Sequence, residues 1–253
     1  MASPSFLLRE FFHLSFLRLL SLRLAGRAYA VKGGICLRFF HASPRLSEDM
    51  DLDASPGIRP DTLAKSVDAV LDGAALLGHL APRGVSRLTA NKPKQTATTQ
   101  RWKVTLETPG GPVGTKIEFS RRADNIPASE GTPLPEILLA HGSVPFAARF
   151  YDGPEMVKQK VRAMAAPTRN ATRDLFDLHH LLHFRRVAPD ILNELEPNLL
   201  LAAAEKAASF SFQDFQAQVA PYLTEEMIGA YRIASAFQSL QERVKMFLRG
   251  KPA

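Results

Sequence analysis

Apolar positions follow two different rhythms along this chain. As far as about residue 150, short apolar runs and two-residue alternations are broken by glycine and proline, and from Gly153 onward apolar residues recur every three or four positions. The opening segment, "SFLLREFFHLSFLRLLSLRLAG", sets Leu7, Phe11, Leu14, Leu17 and Leu20 at three- and four-residue steps, which predicts an amphipathic helix packed on a domain. "AYAVKGG" predicts a short buried strand ending in a glycine turn, "ICLRFF" the helix that the turn opens, and "MDLDA" a second strand closed by Pro56 and Gly57. Asp61 to Leu80 predicts a helix entered after Pro60 and weakened near its end by Gly73 and Gly78. "APRGVSRLTANKPKQTATTQ" is polar and proline-bearing and predicts a plain connection, while "RWKVTLET" and "GTKIEFSRR" alternate on either side of "PGGPV" as an antiparallel hairpin does. Residues 122–135 read as loop and "EILLAHGSVPFAARFY" as one or two further strands. Helices are expected over Glu155 to Ala165, Thr172 to Phe184, Leu199 to Phe210 and Thr224 to Leu248, and no repeat is visible. The pattern predicts an α+β chain: a mixed β-sheet with flanking helices over residues 1–150 and a helical domain over residues 151–253.

With 253 residues, 45% hydrophobic and 23% charged, the chain can bury a sizeable core, which excludes a disordered protein. A single cysteine, Cys36, excludes an intrachain disulfide and a multi-cysteine metal site and suits a reducing compartment, so a cytoplasmic protein is expected. Arg9, Glu10, Arg18 and Arg23 interrupt the opening segment too often for a signal sequence or a membrane span, and no membrane partner is expected; a helix lying on a membrane surface is the minority reading. The net charge of +7 is unevenly placed. Residues 1–47 hold seven Lys/Arg against one acid, residues 91–122 seven against two and residues 155–173 five against one, with an acidic run from Glu48 between the first two blocks. That arrangement suits a polyanion gripped around a divalent cation, and equally a generally basic surface.

The candidate chemistry lies in "VKGGICLRFFHASPRLSEDMDLD". Carboxylates one residue apart on a strand project to the same side, so Asp49 and Asp51, with Asp53 in phase, could hold a hard divalent cation. Gly33 and Gly34 would let backbone N–H groups at a helix start approach phosphate oxygens. Taken alone, these residues read rather as an acidic surface loop behind a glycine turn.

Their order adds what their identities lack: strand, Gly-Gly, helix, then Arg-x-Ser-x-Asp-x-Asp from Arg45 to Asp51 on the next strand. The stretch closely resembles the AbiEii/AbiGii-type nucleotidyltransferase toxins of bacterial toxin–antitoxin and phage-defence loci. Three later elements extend the resemblance to about Leu182: Glu118 in the Lys-x-Glu pattern of "TKIEFSRR", Lys160 in "VKQKVRAM", and Arg173, Asp174 and Asp177 in "TRDLFDL".

The resemblance implies a nucleotidyltransferase-like sheet followed by a helical domain, with the site in the cleft between them. It implies transfer of NMP from an NTP to RNA, with the 3′ acceptor end of tRNA as the expected target, blocking translation, and a separately encoded cognate antitoxin. Asp49, Asp51 and Glu118 would hold Mg²⁺ or Mn²⁺. Lys160 would meet the triphosphate and Asp177 would orient Lys160 or the nucleotide. Arg173, Arg45 and Ser47 would contact phosphate, and Gly33 and Gly34 would cradle it. Relatives commonly follow the second glycine with Ser or Thr, where this chain has Ile35. The rivals are a transferase with a small-molecule or protein acceptor and a catalytically degenerate nucleotide-binding relative. Weaker features read as structural: "GGPVGTK" as a hairpin turn, His179 and His183 as a packed or solvated pair rather than metal ligands, and Trp102 as a packing residue rather than a base-stacking one.

Overall fold

The computed structural model describes residues 4–250, which divide into two compact units. The first comprises residues 4–42 and 46–151, the second residues 43–45 and 152–250.

The first unit is built on a seven-stranded mixed sheet. Its strands are β1 (Tyr29–Lys32), β2 (Asp49–Ala54), β3 (Arg87–Gln95), β4 (Thr99–Thr108), β5 (Gly111–Ser120), β6 (Ser129–Gly131) and β7 (Ala148–Phe150), in the spatial order β3-β4-β5-β2-β1-β7-β6. β2 runs parallel to β5 and β1 parallel to β7, and the remaining pairs are antiparallel. The predicted hairpin is β4–β5, with Trp102, Val104, Leu106, Ile117 and Phe119 turned into the core. Four of its helices precede β3: α1 (Pro4–Ser21), α2 (Gly33–Phe40), α3 (Pro60–Leu71) and α4 (Ala74–Leu80).

Several expectations needed correction. Residues 87–95, read as a plain connection, form edge strand β3, whose side chains are almost all exposed. Backbone pairing with β4 holds it, so no apolar alternation marks it, and Pro93 falls within the irregularity between Asn91 and Lys94, where a missing N–H is tolerated. Residues 136–141, read as strand, belong to helix α5 (Pro135–His141), with Pro135 in its first turn, Gly142 at φ +62° behind it, and Ile137, Leu138 and His141 buried. β6 lies in the expected loop. Helix α1 is not amphipathic in the predicted way: Phe12 to Leu17 are all buried, because α3, α4, β5 and β7 pack around it, while Leu7 is exposed. The expected helix over residues 61–80 breaks at Gly73, where a Cβ would stand 2.9 Å from the Ala69 carbonyl oxygen.

The second unit is helical: α6 (Gly153–Ala165), α7 (Thr172–His179), α8 (Pro197–Ser209), α9 (Phe212–Gln218), α10 (Glu225–Ala230) and α11 (Ala234–Leu248). α6 starts where the Asp152 carboxylate accepts from the Glu155 N–H at 2.9 Å, and α7 passes into a π-helical turn, His180–Phe184. The single helix expected over residues 224–248 is interrupted at Tyr231–Ile233, and α9, which the pattern did not show, starts on a capping box between Ser211 and Asp214. Among the described residues no helix is long and apolar enough to cross a membrane.

Candidate active site

The parallel register of β2 and β5 does what the sequence could not state: it sets Asp49 opposite Lys116 and Asp51 opposite Glu118. The antiparallel neighbours extend the second row, so that Arg101, Glu118, Asp51 and Lys32 lie across β4, β5, β2 and β1 in that order. Register partners share a face, and the row therefore places two carboxylates side by side with a cation at each end. The Lys116 ammonium lies 3.1 Å from Asp49 Oδ2 and 4.0 Å from both Asp51 Oδ1 and Glu118 Oε2. Arg101 Nε donates to Glu118 Oε2 at 2.5 Å. Asp53, third in the acidic phase, is engaged otherwise: Lys32 and the Tyr151 hydroxyl each donate to its carboxylate.

Gly33, the first residue of α2, has φ +68°, and a Cβ there would stand 3.1 Å from Asp51 Oδ2. The left-handed backbone therefore favours glycine, and a Cβ there would also press on the Asp51 carboxylate, which would have to shift slightly. Gly34 follows in the first turn, and Ile35 is buried in the core. The Ser47 hydroxyl donates to the Asp49 carbonyl at 3.0 Å. One strand over, the Thr115 hydroxyl donates to the Glu48 carbonyl at 2.6 Å. The Thr115 proton being used there, His13 Nε2 must donate to Thr115 Oγ1, 2.7 Å away; burial pulls the His13 pKa down to about 3, which keeps the ring neutral. Helix α1 thus steadies the start of the acidic strand.

Asp49 and Asp51 keep 43% and 38% of their side chains open to solvent. Burial on the remaining sides raises the Asp51 pKa; Asp49 and Glu118 add to the rise, and Lys116 and Lys32 oppose it. Among the described residues no three His, Cys, Asp or Glu side chains are drawn together as a metal cluster. The donor set nevertheless fits a hard divalent cation, since it consists of carboxylate oxygens on adjacent strands that all lie within 4.0 Å of one positive charge, the Lys116 ammonium.

The helical unit brings the other predicted residues into a second constellation. In α6, Lys160 lies in the buried stripe with Met156, Val157, Val161 and Met164 and is only 7% exposed. Its ammonium meets Asp174 Oδ1 at 2.9 Å and Asp177 Oδ2 at 2.7 Å. Arg45 forks onto Asp177, Nε to Oδ1 and Nη2 to Oδ2, both at 2.8 Å, and Arg169 grips Asp174. Arg45, Asp177, Lys160, Asp174 and Arg169 form an alternating chain of charges. Burial works against the charges of Arg45, Asp177, Lys160 and Asp174, but the partners outweigh burial: both aspartates are held below the usual carboxylate range, and Lys160 and Arg45 above their ordinary values. Arg173, on the same helix, is exposed and stands outside this chain.

Sequence reasoning missed Lys116, Arg101, Arg169 and the His13–Thr115 link. Lys116 was within reach, being the lysine of the same Lys-x-Glu pattern that singled out Glu118. The weaker features are structural, as expected. Trp102 is fully buried and donates from its indole to Asp68, and His179 and His183 stack at 5.3 Å, with Arg243 donating to His183.

Two Helicobacter pylori proteins of known structure share the architecture. JHP933 aligns over 99% of this chain and 96% of its own, with 18% identity and a TM-score of 0.57; a protein provisionally described as a nucleotidyltransferase aligns over 94% and 95%, with 19% identity and a TM-score of 0.53. At such identities the likeness speaks for the fold. No curated protein sequence matches the chain. Over residues 15–250 the sequence matches the model of the nucleotidyl transferase AbiEii toxins of type IV toxin–antitoxin systems, and the chain belongs to that nucleotidyltransferase family.

Proposed function

We propose that this nucleotidyltransferase toxin uses a divalent metal, Mg²⁺ or Mn²⁺, to transfer NMP from an NTP to RNA, with the 3′ acceptor end of tRNA as the target, and that the modification blocks translation in the cytoplasm. The observation that carries the reading is the register pairing Asp51 with Glu118, two residues from Asp49, beside the left-handed Gly33. Nucleotidyl transfer displaces pyrophosphate at the α-phosphorus, and a divalent cation would neutralise the charge that develops on the phosphate oxygens. Asp49, Asp51 and Glu118 would hold it, or Glu118 would instead activate the attacking hydroxyl by accepting its proton.

Gly33 and Gly34 offer backbone N–H groups to phosphate. With Ile35 in the core, no side-chain hydroxyl supplements them. Lys160 has one N–H left after Asp174 and Asp177 and would turn it to the triphosphate, with Asp177 as its positioning residue. Arg45, committed to Asp177, supports that arrangement, and exposed Arg173 is the better candidate for a direct phosphate contact. An RNA acceptor is favoured by the cations that continue the carboxylate rows outward on the same face, Arg101 and Lys94 in one and Lys103 in the other. A family of type IV toxins implies a cognate antitoxin.

The test is incubation of the purified protein with Mg²⁺, each of the four α-labelled NTPs in turn, and total tRNA, with a control lacking acceptor. Label retained on RNA supports the reading. Label on protein, or on nothing, overturns the RNA assignment.

A further inference from the structure

Lys116 has no task in the reaction as proposed, yet its ammonium lies among all three proposed metal-holding carboxylates. We infer that Lys116 is the resident counter-cation of this site: it holds Asp49, Asp51 and Glu118 together in the metal-free protein and gives way when a divalent ion binds. The inference rests on the metal assignment above and concerns what occupies that position before the metal arrives.

Three features of the site support it. Lys116 is the register partner of Asp49 and stands two residues before Glu118 on the same strand, so its ammonium is brought to the carboxylates by backbone pairing. A side chain 26% open to solvent on a flexible stem can swing away, in contrast to Lys160, which is 9% open and clamped by two buried aspartates. Glu118 also keeps its own guanidinium, Arg101, when Lys116 leaves. The released ammonium would then stand next to Lys103, its register partner on β4, where it adds to the positive rows offered to an anionic substrate. Metal binding would thereby strengthen substrate binding.

A resident cation must compete with the metal, and its removal must therefore tighten metal binding. The measurement is calorimetric titration of Mn²⁺ into the full chain without nucleotide or RNA, for wild type, Lys116→Met and Lys116→Arg, together with thermal midpoints in EDTA and in saturating Mn²⁺. A positive charge at about 4 Å from the ligands should weaken Mn²⁺ binding by about tenfold or more, so Lys116→Met is expected to bind that much more tightly and Lys116→Arg to stay near wild type. Lys116→Met should also melt lower than wild type in EDTA and gain more on adding Mn²⁺. Equal or weaker Mn²⁺ binding by Lys116→Met, with wild type binding normally, overturns the inference and leaves the metal assignment standing. No Mn²⁺ binding by any of the three overturns both. If Lys116→Met is unfolded in EDTA, recovery of the wild-type circular dichroism spectrum with Mn²⁺ supports the inference and failure to recover overturns it.

Discussion

Two clusters of carboxylates in this molecule carry similar residues to opposite ends. On the sheet, Asp49, Asp51 and Glu118 stand around one lysine with 43%, 38% and 22% of their side chains open to solvent, and the pKa of Asp51 is raised. In the helical unit, Asp174 and Asp177 are fully buried, yet both pKa values are lowered. The difference is the supply of cations. Each helical aspartate has two cationic side chains in direct contact, and Lys160 is shared between them. The sheet carboxylates share one flexible lysine, and only Glu118 has a guanidinium of its own. A self-satisfied network fixes its own geometry and is costly to break, whereas an under-compensated one has charge to offer a ligand that brings the missing cation.

The comparison makes the two clusters fail differently. Asp49→Ala and Asp51→Ala should each lower NMP transfer by at least about 10³-fold, because the developing charge loses its metal, while circular dichroism and thermal midpoint stay near wild type. Unfolding by either substitution would show that these carboxylates serve the fold. Asp177→Ala should do the reverse first: with Arg45 and Lys160 left facing each other in a dry interior, about 3–5 kcal/mol of stability should go, read by urea denaturation. A variant as stable as wild type would remove the contrast.

Acid should separate the clusters by a smaller margin. A carboxylate whose folded-state pKa is depressed contributes stability that is present above its unfolded value, about pH 4, and is lost as pH falls through the lowered value. Asp174 and Asp177 have this sign. The thermal midpoint of wild type should therefore fall between about pH 5 and pH 2, and that of Asp177→Asn should fall less steeply. Parallel curves would mean that Asp177 carries no linked stability.

Much of this was legible in the sequence, for stateable reasons. The strand, glycine turn, helix and acidic strand follow one another locally, so period and turn chemistry sufficed to place Tyr29–Lys32, Gly33–Phe40 and Asp49–Ala54. The partners of Asp51 were hidden because β2 and β5 are parallel and 56 residues separate Asp49–Ala54 from Gly111–Ser120; no local pattern encodes such a register. β3 escaped notice because an exposed edge strand needs no apolar alternation, and α5 because seven residues with Ile137, Leu138 and His141 inward hardly establish a helical period. Lys160 carried a signal that went unused. A lysine in phase with Met156, Val157, Val161 and Met164 must be buried, and a buried lysine must be paired.

The smallest expected effect bears on Ser47, which the family resemblance assigns to phosphate and the structure turns toward the Asp49 carbonyl. These are different jobs. A hydroxyl that only steadies the backbone at the start of β2 is one neutral hydrogen bond in a half-exposed place, which water can replace, so Ser47→Ala should lose about 0.5–1.5 kcal/mol and transfer should drop less than tenfold, with KM for the NTP unchanged. A hydroxyl that touches phosphate in the transition state should instead cost activity without costing stability, approaching the loss seen in Asp49→Ala. Steady-state kinetics and urea denaturation on the same Ser47→Ala preparation decide between the two. The first outcome would place Ser47 with His13 and Thr115 among the groups that set the acidic strand in register, and the second would place it with Asp49 and Asp51 at the reacting phosphate.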